Sequence, residues 1–217
     1  MNINKDELLF AKAYIDEHFD RIIEWAIGDI KRCCKMNPDG TCDDKGALVG
    51  AFILWTCAIE YFGGLYTGYT TPGASNARIK EFVKKYMPKY DPDKIADLRW
   101  SLQHYYSPHH FVLYHENNLA ANKDLHLTST SRGILLHLGW VIKDLKEGVQ
   151  SYYKDLKDKD SLKIKLWRYY KKQLPLMPVK VEKIISPTIL SSLATGTAIQ
   201  SINASGTTGP DEWLKKS

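Results

Sequence analysis

Apolar residues recur at steps of three and four along most of the chain, and that spacing predicts helices. Over residues 4–32, Leu8, Ala11, Ile15, Phe19, Ile22, Ala26 and Ile30 fall on one stripe, with Asn4 and Glu7 placed as a capping pair. Asn37-Pro38-Asp39-Gly40 marks a turn-rich connection. Residues 44–66 are apolar nearly all round, which predicts a helix inside a bundle, with Gly50 and Gly63 admitting close neighbours. Thr70-Thr71-Pro72-Gly73 breaks the chain, and Ile79, Phe82, Val83 and Tyr86 mark a short helix over 74–87. Asp91 and Pro92 form an N-cap and first-turn pair, so the next helix runs over 92–106 and stops before Pro108. Its core stripe is expected to be Ile95, Leu98, Leu102 and Tyr105.

Past that helix the period shortens. Residues 111–116 (FVLYHE) and 124–128 (DLHLT) flank a polar, turn-prone stretch, and a small hairpin between them is expected. Ile134, Leu138, Val141, Leu145, Val149, Tyr152 and Leu156 predict a long helix over 131–158, and a further helical piece covers 161–174 up to Pro175. Beyond it, Ser, Thr, Gly and Pro dominate, with Ile184, Ile185, Ile189, Leu190 and Leu193 as scattered apolar positions. The expected architecture is all-α: a bundle of about five or six helices over 1–175 with a small β-hairpin insert. An extended C-terminal tail over 176–217 would pack on the bundle or on a protein partner.

Composition narrows this picture. With 217 residues, 44% hydrophobic and 25% charged, the chain has the make-up of an ordinary folded domain and not of a disordered one. Four cysteines, including the adjacent Cys33-Cys34, are too few for a disulfide scaffold and read as ordinary thiols. The net charge of +5 permits an anionic partner without demanding one. The uncharged stretch 46–59 falls short of the roughly 20 residues needed to cross a bilayer, so no membrane partner is expected. Asp6, Glu7, Asp16 and Glu17 interrupt the place where an export leader would be apolar, so a cytoplasmic location is expected.

One constellation carries chemistry. Arg99 and His104 stand five positions apart in Asp97-Leu98-Arg99-Trp100-Ser101-Leu102-Gln103-His104, near a helix end. A guanidinium holds phosphate in a fork and an imidazole moves a proton near neutral pH; together these are what metal-free RNA cleavage requires. Five residues place the two side chains about 140° apart around the helix, flanking one groove. A complete site would form where two such helices meet across a symmetric dimer. The same residues also fit a surface ion pair for Arg99 and a C-terminal cap for His104.

Arg99-x4-His104 late in a helical bundle resembles the HEPN superfamily, as do the apolar helix before it and Ser107-Pro108 with a strand-like segment after it. The resemblance covers roughly residues 4–175. It implies a helical bundle, dimerisation through the motif, and RNA cleavage without metal or cofactor, with Arg99 and His104 as catalytic residues. Active members usually carry a polar residue directly after the Arg, where this chain has Trp100. Other members are inactive modules that bind nucleotides or protein partners. RNA or a nucleotide is thus the expected ligand, and a non-catalytic interaction module is the alternative.

Further residues could support that site. Glu60, an acid inside an apolar helix, needs a partner if buried, and Arg99 is a candidate; at the bundle rim it would simply be solvated. Ser101 lies within the motif, and His109 and His110 just after it could assist phosphate binding. Lys163, Lys165, Arg168, Lys171 and Lys172 interleave with Trp167, Tyr169 and Tyr170, which suits a nucleic-acid backbone with unstacked bases but equally a solvated helix face over buried rings. His104, His109, His110, His115 and His126 crowd one stretch without metal-ligand spacing, so no metal is expected. His137 reads as a structural, hydrogen-bonded histidine.

Overall fold

A computed structural model describes residues 5–37, 42, 46–115 and 123–173. The tail over 176–217, the Asn4 cap and the polar stretch after residue 115 lie outside the described residues or at their margin. The described residues form six helices: α1 (Lys5–Cys33), α2 (Leu48–Thr67), α3 (Ser75–Tyr86), α4 (Pro92–Tyr105), α5 (Leu138–Asp158) and α6 (Asp160–Gln173). A helical bundle with a small β element is the fold, as the periodicity predicts.

The bundle is organised around α2. Phe52, Trp55, Ile59, Phe62 and Leu65 are buried along it, and each such side chain contributes roughly 1.5–3 kcal/mol on leaving water. Among the described residues α2 is the one helix long and apolar enough to cross a membrane, yet α1, α3, α4, α5 and α6 all pack on it. The Trp55 indole N–H donates to the Val141 carbonyl at 3.0 Å, tying α2 to α5. Gly68 ends α2 in the left-handed region, φ 74°, its N–H closing onto the Gly64 carbonyl at 2.8 Å.

Two glycines of α2 let neighbours come close. A Cβ on Gly63 would fall on the Arg78 backbone carbonyl of α3, and one on Gly64 would fall on the Tyr169 ring of α6. Gly63→Ala is therefore expected to push α2 and α3 apart and cost about 1–3 kcal/mol, although alanine is the better helix former. Urea denaturation checks this, and unchanged stability would contradict so close a crossing.

Asp91 caps α4 as expected: its carboxylate accepts from the Asp93 and Lys94 N–H groups at 3.0 and 3.2 Å, and Pro92 opens the helix. Ile95, Leu98 and Leu102 are buried, but Tyr105 is 64% exposed. The expected stripe ends one turn early because Tyr105 is the last helical residue and its ring packs edge-on against Trp100, 5.0 Å between centres, on the solvent side.

The β element differs from the expected hairpin. Strands β1 (Phe111–Tyr114), β2 (Ser129–Thr130) and β3 (Gly133–His137) form a sheet in the order β1-β3-β2. β1 runs parallel to β3, with Phe111 opposite Ile134 and Tyr114 opposite His137, and β2 pairs antiparallel with β3 across Ser131-Arg132. Residues 124–127 are turn, and Thr128 precedes β2 without belonging to a strand. The long helix accordingly starts at Leu138 and not near 131, since Ile134, Leu135 and Leu136 satisfy a strand as well as a helix. His137 closes β3 and caps α5, its Nδ1 accepting from the Trp140 N–H at 3.4 Å. It is thus a structural, hydrogen-bonded histidine, placed at a strand end.

Candidate functional site

Three helices converge on one carboxylate. Glu60 of α2 binds Arg78 of α3 through Oε1 and Arg99 of α4 through Oε2. The side chains of Glu60, Arg78 and Arg99 are only 12%, 11% and 19% exposed. Arg78 also donates to the Tyr69 carbonyl at 3.3 Å, and its guanidinium lies 6.0 Å from the centre of the Tyr169 ring. Two guanidinium groups against one carboxylate leave a net positive charge in a poorly solvated place, where it acts more strongly than on an open surface. The Nε atoms of Arg78 and Arg99 have no hydrogen-bond partner among the described residues.

Helix geometry separates the functions of α4. Arg99 and Gln103 are one turn apart and both reach α2, Gln103 donating to the Cys57 Sγ at 3.5 Å. Burial pushes the Cys57 thiol up, and the neighbouring Arg99 charge only partly offsets that. Trp100 and His104 form the adjacent stripe, with ring centres 5.2 Å apart, and face solvent. Arg99 and His104 therefore flank the end of the helix as the five-residue spacing requires; they share no hydrogen bond. Arg99 is held from below by Glu60, and His104 stands in water.

The other candidates are distributed around this centre. Ser101 is buried, its hydroxyl donating to the Leu98 carbonyl at 3.1 Å, so it serves the helix itself. His109 and His110 are exposed in the loop after α4, ring centres 5.3 Å apart, with His110 Nε2 3.9 Å from Asp97 Oδ2. On α6, Lys163 is buried and bound to Asp160 at 2.7 Å, while Arg168 and Lys171 both bind Glu7 at 3.1 and 2.8 Å. Lys165 lies 5.9 Å from the Tyr66 ring centre, and Lys172 is exposed. Trp167, Tyr169 and Tyr170 pack into the bundle against α1 and α2. Three of the five cations on α6 thus already have acidic partners. Among the described residues no group of three His, Cys, Asp or Glu side chains is placed to hold a metal ion, and all four cysteines are free thiols.

Two features went unread in the sequence. Arg78 sits on a short, highly charged helix, and nothing in its local pattern marks it as inward-facing. A second polar centre joins Asp144 to Lys89 at 2.6 Å, to the Tyr90 hydroxyl at 2.8 Å and to His126 Nε2 at 3.4 Å. Its signal was available: an acid beside the apolar stripe of α5, between Val141 and Leu145.

The fold and this centre define a helical-bundle protein with a mixed three-stranded sheet and a carboxylate shared by two arginines. No protein-family model, curated protein or solved structure matches the chain.

Proposed function

We propose that the protein acts on RNA as a HEPN-like metal-independent endoribonuclease, with Arg99 and His104 as its catalytic residues. The observation that supports this reading is the pairing of Arg99 with Glu60, itself bound to Arg78, beside a solvent-facing His104 on the same helix end. A guanidinium fixed in place, with net positive charge around it, stabilises a phosphorane without reorganising. His104 takes the proton of a ribose 2′-hydroxyl, whose oxygen bonds to phosphorus as the bond to the 5′ oxygen breaks. A second imidazole, from the other copy of a homodimer, returns a proton to the leaving oxygen, so the products are a 2′,3′-cyclic phosphate and a 5′-hydroxyl.

The alternative reading is a non-catalytic module that binds RNA, a nucleotide or a protein. What favours it is that Arg99 is mostly covered and already engaged by Glu60. Incubation of a mixed RNA pool in chelator separates the two. Cleavage lost in both Arg99→Ala and His104→Ala, with His104→Ala retaining the wild-type unfolding curve, is the expected result. An uncut pool with retained RNA binding would leave the module reading, and wild-type cleavage in either variant would overturn the assignment.

A further inference from the structure

The surface of α4 beside Arg99 carries rings that the cleavage chemistry does not use. Trp100 is 44% exposed and Tyr105 64%. The Trp100 ring centre lies 5.2 Å from that of His104, the two rings tilted by 44°, and the Tyr105 ring meets it edge-on at 5.0 Å. These contacts hold the indole in place before any ligand arrives, so little side-chain freedom is left to lose on binding. We propose that Trp100, braced by its contacts with His104 and Tyr105, is a stacking platform for an unpaired nucleobase, so that the RNA taken here is single-stranded at the site. This inference rests on the RNA reading above.

The surroundings favour a base over a protein partner. The large apolar side chains that α4 exposes are the flat, polar-edged rings of Trp100 and Tyr105, followed by Tyr106, which suits a π-face and not a methyl-lined surface. Arg99 is the residue before Trp100, and the exposed His109 and His110 follow the helix, so donors for an anionic backbone precede and follow the rings along the chain. One acid, Asp97, stands among them, and it faces His110. A base within a duplex has both faces covered by its neighbours, whereas one in a loop or free strand can lie on the indole while its phosphate meets Arg99.

The test uses the full chain and fluorescence anisotropy with three probes: an unstructured 2′-O-methyl oligoribonucleotide, which cannot be cleaved, the same sequence as a blunt duplex, and inorganic polyphosphate. Single-stranded probe should bind more tightly than duplex. Trp100→Ala should weaken it by roughly 5- to 150-fold, the equivalent of one stacked base, while Trp100→Phe keeps most of the affinity and polyphosphate binding does not change. Unchanged single-strand binding in Trp100→Ala, with binding lost in Arg99→Ala, overturns the platform and leaves the RNA reading standing. A wild-type protein that binds none of the probes overturns both. Sedimentation of the free proteins supplies the remaining arm: if Trp100→Ala only converts a dimer to monomers, the rings are a self-interface and the platform is wrong.

Discussion

Glu60→Gln is expected to destabilise the bundle by about 3 kcal/mol, because it removes the one negative charge between two largely buried guanidinium groups. For a domain of this size such a loss lowers the midpoint of thermal unfolding by roughly 6–12 °C. The direction follows from asymmetry. Removing Arg99 or Arg78 alone leaves Glu60 with its other partner, whereas removing the carboxylate charge leaves two cations facing each other in a poorly solvated place. Glu60→Gln should therefore cost more than Arg99→Gln, and the double variant Glu60→Gln with Arg99→Gln should recover part of the loss. Because the groups are 11–19% exposed, added salt should rescue little. Thermal melts of the four proteins at low and high salt decide it. If Glu60→Gln melts with wild type, the carboxylate does not organise the three helices, and Arg99 has lost the support that the proposed function assumes.

That centre shows which parts of a site can be read before a structure exists. A carboxylate in an otherwise apolar helix carries its own signal, since it must find a partner if buried, and Glu60 does pair with Arg99. Arg78 carries none. It lies in a helix rich in Lys and Arg, and only the approach of α3 to Gly63 brings that one cation inward. The helices themselves were legible because each has a stripe or a stop: Asp91-Pro92 opens α4, and Leu138 to Leu156 keep their spacing through α5. Segment 134–136 was not, because three consecutive apolar residues satisfy both periods, and what decides is a partner strand at 111–114. A parallel pair needs a long connection, so local sequence cannot announce it as a tight turn announces a hairpin. Tyr105 fits the α4 stripe by spacing alone, but the helix ends there and the ring turns to Trp100.

Asp144→Asn is expected to cost about 2–4 kcal/mol at neutral pH, and the cost should shrink on acidification. Asp144 is only 5% exposed and accepts from Lys89, Tyr90 and His126. His126 Nδ1 accepts the His137 backbone N–H at 3.2 Å, which leaves the ring proton on Nε2, between Asp144 and the Tyr90 hydroxyl. One carboxylate thus ties α5 to the segment before α4 and to the turn that leads into the sheet; Tyr90 and His126 share its Oδ2 while Lys89 takes Oδ1, so an amide, with a single acceptor oxygen, leaves at least one of these donors facing its NH2 group. Burial by itself would raise the Asp144 carboxyl, but the bonds from His126, Lys89 and Tyr90 outweigh it and hold the group down at about 2. A carboxylate depressed in the folded state adds stability that is complete above its unfolded value near 4 and disappears as pH falls through 2. That contribution is about 2 kcal/mol, and it accounts for most of the expected difference between the two proteins. Urea titrations of wild type and Asp144→Asn at several pH values should give a gap that is constant from pH 5 to 7, as expected for a group already ionised in both states, and that narrows below about pH 4. A gap that stays the same down to pH 2 would mean that the charge of Asp144 is not what joins the sheet to the bundle.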